Sequence, residues 1–295
     1  MIIGHWKQRE YLKKIAESGN IPQAVLFTGQ AHLGKKLVAL EWISLIFAEK
    51  AENHPDLVLI APENNQIRIS QIRDLSWRLA LKPVRAAFKA AILDQAHQMN
   101  EEAQNCFLKT LEEPKGNTLL ILITEWPEIL LPTIRSRCEI VKFYPVSKLE
   151  IENYLKAKTG GGWVASKEKV KEIALLSLGR PGKAVDFISN PQKLENQKKT
   201  IKELIEISRS PLASRFQYAK ELTKTQNLRE ILDTWLFYFR NILLEKCSSK
   251  CSSTGDEQLI PKLKNIIKQI QKTNFLISTT NVNPRLALEI LMLEL

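Results

Sequence analysis

The spacing of apolar residues changes about halfway along the chain. Up to residue 145, short apolar runs alternate with amphipathic stretches. Val25-Leu26-Phe27-Thr28, Leu57-Val58-Leu59-Ile60, Ala90-Ala91-Ile92-Leu93, Leu119 to Ile123 and Glu139 to Phe143 read as five strands. Between them, Lys35 to Glu49 places Leu37, Leu40, Ile43 and Ile46-Phe47 on one side of a helix. Ser70 is placed to cap a second helix running to about Leu81, ahead of Pro83. Asn100 is placed to cap a third that stops before Pro114. Strands alternating with helices predict an α/β core, a mostly parallel sheet covered on both faces. Ligands in such sheets sit beyond the carboxyl ends of the strands.

After Pro145 strand signals largely vanish. Residues 148–158, 166–178 and 181–188 read as three short helices, broken by Gly160-Gly161-Gly162 and by Gly179-Arg180-Pro181-Gly182. From about residue 199 the helices lengthen. Leu232, Trp235, Leu236, Phe239 and Ile242-Leu243 fall at helical spacing, as do Leu263, Ile266-Ile267 and Ile270. A polar, Gly-containing loop, Ser248 to Glu257, separates these two groups. The expected domains are a nucleotide-binding-type core over 1–145, a small helical lid over 146–198 and an all-α domain over 199–295.

With 295 residues, 44% hydrophobic and 25% charged, the chain has the composition of a globular protein with ample length for a core. No apolar run is long enough to span a bilayer, and the first residues turn polar too soon for a secretory signal. A cytoplasmic location is therefore expected. Cys106, Cys138, Cys247 and Cys251 are scattered apart from the last pair, which fits free thiols in a reducing compartment. The net charge of +11 is uneven: 18 Lys/Arg against 16 Asp/Glu over residues 1–145, but 25 against 16 over 146–295. That asymmetry fits an acidic partner, nucleic acid among them, and it fits equally a set of solvated Lys-rich helices.

The chemistry-bearing stretch is Gly29-Gln30-Ala31-His32-Leu33-Gly34-Lys35-Lys36, between a strand and a helix. It is a phosphate-binding loop, G-x-x-x-x-G-K-[ST], in all but its last position. The glycines Gly29 and Gly34 let backbone N–H groups wrap phosphates, and Lys35 reaches the terminal ones. The closing hydroxyl, which would ligate Mg²⁺, is replaced by Lys36. Asp94, at the end of a strand, is where such proteins hold the metal through water. Its neighbour Gln95 has the shape of a general-base Glu but cannot accept a proton at neutral pH. Two independent losses in one site argue against ATP hydrolysis by this chain.

A third element, Leu131-Pro132-Thr133-Ile134-Arg135-Ser136-Arg137-Cys138, stands between the fourth and fifth strands. With Ile3-Gly4-His5, Leu26-Phe27-Thr28-Gly29, His54-Pro55-Asp56-Leu57, Ala103-Gln104-Asn105, Leu108-Lys109-Thr110-Leu111-Glu112-Glu113-Pro114 and Asn281 to Glu289, it gives a resemblance over nearly the whole chain. The chain resembles the bacterial DNA polymerase III clamp loader subunits of the delta prime kind, which are AAA+ proteins. That resemblance implies an AAA+ P-loop core followed by a lid and a helical collar that packs into a ring. It implies a stator that does not hydrolyse ATP and that helps to load the sliding clamp onto primed DNA. Partners so implied are gamma/tau, delta, the clamp and primer–template DNA through phosphate contacts, with no membrane.

The resemblance also gives residues roles. Arg137 becomes an arginine finger offered in trans to ATP and Mg²⁺ on a neighbouring subunit. Position alone would leave Arg135 and Arg137 as helix-end cations. Thr124 matches the sensor 1 position, and Arg180 the sensor 2 position, where a surface Arg at a helix start is an equal reading. With Gly29, Gly34, Lys35 and Asp94 they make a degenerate ATP site. Many family members carry a four-cysteine zinc module after the P-loop helix. Residues 47–57 contain no cysteine, so no zinc module and no cofactor of this chain's own is expected. Cys247 and Cys251 alone do not close a metal site. Other readings stay open here: an ATP-hydrolysing gamma/tau-like subunit, a P-loop small-molecule kinase and an interaction scaffold outside replication.

Overall fold

The computed structural model describes residues 2–113, 116–158, 166–225, 227–248, 256–279 and 282–295. Pro114, the Gly160–Gly162 break, Cys251, Asn281 and most of the Ser248–Glu257 loop lie outside the described residues. The chain divides into two compact units, Met1–Asp186 and Phe187–Leu295.

The first unit is built on a parallel sheet of β1 (Ala24–Thr28), β2 (Leu57–Ile60), β3 (Lys89–Leu93), β4 (Thr118–Thr124) and β5 (Glu139–Lys142), in the order β2-β3-β4-β1-β5. The three inner strands are buried almost throughout, whereas the edge strands expose Leu59 and Ile140. That is why the inner strands read as unbroken apolar runs. Helices α1 (Trp6–Ser18), α2 (Lys35–Phe47), α3 (Ile69–Ala80), α4 (Glu101–Glu112) and α5 (Pro132–Arg135) surround the sheet. One core, with Trp42, Phe27 and Ile43, joins α1 and α2 to one face. The other, with Leu75, Phe107 and Ile134, joins α3, α4 and α5 to the opposite face. Asn100 caps α4 as expected, its Oδ1 accepting from Ala103 N at 2.9 Å. Ser70 does not cap α3. The helix starts one residue earlier, after Arg68, and Gln71 reaches back to accept from Arg68 N at 2.9 Å.

Three further helices follow, α6 (Lys148–Lys158), α7 (Lys167–Leu176) and α8 (Pro181–Ser189). Within the first unit, the segment before α8 is stitched to the sheet loops. Val146 N donates to Gly179 O, and Gly182 N to His32 O, both at 2.8 Å. The second unit contains α9 (Pro191–Ser208), α10 (Leu212–Leu222), α11 (Leu228–Ser248), α12 (Asp256–Thr279) and α13 (Pro284–Glu294). Its core holds Leu232, Trp235, Phe239, Leu263, Ile266 and Ile270, the helical stripes seen in the sequence, joined by Leu288 and Leu291 of α13. No described helix is long and apolar enough to cross a membrane.

Candidate functional site

The loop from Gly29 to Gly34 closes the carboxyl end of β1 and opens α2. Gly29 sits at φ 142°, and a Cβ there would lie 2.5 Å from Phe143 O. Gly34 ends the loop at φ 87°, a left-handed conformation that favours glycine. Two distant elements fix the loop's outer side. His5 Nε2 meets Leu33 O at 2.9 Å, and Arg180 Nε donates to Gln30 Oε1 at 3.2 Å. His5 is buried, and that burial pushes its pKa below the ordinary value, partly offset by the bond to Leu33. The neutral imidazole is thus the form that suits the loop.

Lys35 is buried at 6% exposure and donates to Gly29 O and, at 2.6 Å, to Gln30 O. Burial brings its pKa down to about 8, against the opposing pull of Glu125 and Asp94, while Arg180 adds to the fall. Lys36, the residue in place of the hydroxyl, puts its Nζ 3.4 Å from Asp94 Oδ2. The carboxylate that would face a metal therefore faces an ammonium of its own chain. Gln95 follows at φ 51°. Thr124 Oγ1 pairs with His97 Nδ1 at 3.2 Å and accepts from Trp126 N at 3.1 Å. These groups surround a cleft of about 410 Å³, lined by Gly34, Lys35, Lys36, Asp94, Gln95 and Thr124 among others.

Arg137 does not line this cleft. It lies on the surface after α5, where Nη1 donates to Thr133 O at 3.1 Å and Nη2 meets Glu112 Oε1 at 2.8 Å. Glu112 belongs to the Leu-Glu-Glu stretch ending α4, so two sequence motifs meet at one guanidinium. Cys138, next in line, is buried, and burial raises its thiol pKa to about 12. It is core, not a nucleophile. Among the described residues no group of three or more His, Cys, Asp and Glu is arranged to hold a metal.

The structure thus brings Gly29, Gly34, Lys35, Asp94, Thr124 and Arg180 to one loop and cleft, and leaves Arg137 apart. Sequence reasoning missed the roles of His5, His97 and Glu112. Only His5 and Glu112 carried a signal, through the motifs that contain them. Asp56, from another motif, proves structural. Its buried carboxylate accepts from Val84 N, Arg85 N and Ala86 N at 2.7, 2.8 and 2.9 Å.

A five-stranded parallel sheet in this order, with a glycine loop after β1 and an acidic residue after β3, defines a P-loop core of the AAA+ type. The family described as "DNA polymerase III, delta subunit" matches residues 4–147. DNA polymerase III subunit delta′ of Bacillus subtilis is 30% identical over 248 residues, 77% of this chain and 73% of that protein. The corresponding Pseudomonas aeruginosa subunit is 35% identical over 134 residues, 39% of this chain and 41% of that protein, so the match spans less than half of it. The DNA polymerase III gamma subunit of Buchnera aphidicola is 27% identical over 189 residues, 61% of this chain and 52% of that protein. The chain belongs to the delta′ family of DNA polymerase III subunits.

Proposed function

We infer that this chain is a clamp loader subunit that does not turn over ATP itself and offers Arg137 to a nucleotide held by a neighbouring gamma/tau subunit. The observation that carries this reading is the contact between Lys36 and Asp94. It fills the metal's place in the chain's own loop with a cation, and Gln95 supplies no base. Arg137 meanwhile is exposed and held by Glu112 and Thr133 O, outside that cleft. A guanidinium so placed offers forked donors to a partner's γ-phosphate, where charge redistributes during phosphoryl transfer. In this reading residues 146–198 act as the lid and 199–295 as a collar joining gamma/tau and delta around the loader. The basic second half meets DNA phosphates or acidic partner surfaces. The product is a sliding clamp placed on primed DNA.

The test is a reconstituted loader carrying Arg137→Ala. An arginine finger is worth on the order of 10³-fold at the site it serves, so DNA- and clamp-stimulated ATP turnover should fall by that site's share while assembly persists. Unchanged turnover removes the assignment. Mg²⁺-dependent hydrolysis by the isolated chain would favour a gamma-like motor instead.

A further inference from the structure

The family's P-loop implies ATP with Mg²⁺, and the residues here do not fit the metal. Mg²⁺ asks for an octahedron of oxygen ligands. The loop offers an ammonium where a hydroxyl belongs, and that ammonium sits 3.4 Å from the acidic side chain a metal would use. A divalent cation placed there would meet Lys36 head on. The phosphate-facing parts of the loop are nevertheless intact: Gly29, Gly34, Lys35 and the open cleft of about 410 Å³. Loss of the metal ligand with retention of the phosphate cradle calls for a ligand that needs the second and not the first.

We propose that this cleft binds a metal-free diphosphate group, as inorganic pyrophosphate or as a nucleoside diphosphate, with the Lys36 ammonium standing in for Mg²⁺. An ammonium has three N–H donors and no acceptor. One can point at Asp94 while the others take phosphate oxygens, the same bridge between carboxylate and phosphate that a metal makes. Lys36 is partly exposed, at 44% of its side chain, so its stem is free to adjust. The first N–H groups of α2 have no partner inside the helix and face the cleft's anion position. The loop is held in shape without any ligand by His5 on Leu33 O and by Gly182 N on His32 O. One positive charge replaces two, which favours a diphosphate over the more highly charged triphosphate. Lys35 supplies a second, buried cation that now bonds only to loop carbonyls. The proposal rests on reading Gly29–Lys36 as a phosphate loop and is independent of Arg137.

The test is isothermal titration of the full chain with inorganic pyrophosphate and, separately, with ADP, each in EDTA and in excess Mg²⁺. Binding is expected in EDTA, weakened by roughly tenfold or more with Mg²⁺, because the metal masks the charge that Lys36 recognises. Equal binding of both ligands identifies the diphosphate as the recognised group, and tighter ADP binding identifies a nucleotide. Lys36→Thr should lose roughly tenfold or more in EDTA and regain binding when Mg²⁺ is added, with its melting temperature nearly unchanged, since a half-exposed ion pair contributes little. At about pH 8, binding should take up a fraction of a proton on Lys35, read as a dependence of the heat on buffer ionisation. No heat from either anion in EDTA, wild-type binding that requires Mg²⁺, or a Lys36→Thr variant that binds as before overturns the proposal. The Arg137→Ala turnover assay reads a different subunit's site, so the two readings fail separately.

Discussion

Lys35 is held at a cost, and that cost can be measured. Burial lowers its pKa from 10.5 to about 8. At about 1.4 kcal/mol per unit, the charged amine penalises the fold by ~3 kcal/mol. The sign follows from proton binding. The unfolded chain holds this proton up to about 10.5, the folded chain only up to about 8. Between those values unfolding takes up a proton, so stability rises with pH by about 3 kcal/mol, and below about 8 the full penalty stands. Lys35→Met keeps the stem and removes the charge. It also leaves Gly29 O and Gln30 O without their donor, which costs about 1–2 kcal/mol. At about pH 7 the variant should therefore be more stable than the wild type by about 1–2 kcal/mol. At about pH 10 it should be less stable by up to ~1 kcal/mol. Urea unfolding of the two proteins across that range, followed by circular dichroism, gives the difference directly, and titrations elsewhere in the chain cancel. A difference independent of pH, or a variant clearly less stable at about pH 7, would refute the reasoning. A charge kept at this cost points to an anion that repays it.

Two further substitutions probe the frame of the site. Gly29→Ala drives a Cβ to 2.5 Å from Phe143 O, a backbone atom that cannot yield without moving β5; the loss should be about 2 kcal/mol or more, and a urea midpoint within experimental scatter of wild type would contradict it. Asp56→Asn turns an amide group toward three backbone donors and should cost about 3 kcal/mol. Burial alone would raise the Asp56 pKa, but the bonds from Ala86, Arg85 and Val84, with His54, hold it below 3.8. Its contribution is present above about 3.8 and is lost as pH falls through the lower folded value. The variant should lack that part of the acid unfolding limb, and an unaltered limb would remove Asp56 from the account.

Much of the first unit was legible because its signals are local. The apolar runs mark the buried strands, and the Gly29–Lys36 spacing marks the loop between β1 and α2. Asn100 announces its helix by a side chain that reaches only three residues on. Ser70 misled for the same reason that Asn100 did not. A hydroxyl residue near a helix start looks like a cap, but Gln71 bonding back to Arg68 N moved the boundary earlier.

Sequence by itself determined the parallel core, the helical second half and the damage to the phosphate loop, since each depends on residue type and short-range order. It showed that Lys36 had replaced a hydroxyl. Only the tertiary structure decided what that lysine touches. Asp94 comes to Lys36 because β3 ends near the start of α2, although the two residues are far apart in the chain. The same folding brings Glu112 to Arg137 and His5 to Leu33. Such pairs are set by sheet order and helix packing, which place distant segments within hydrogen-bond reach, and no local pattern encodes that distance.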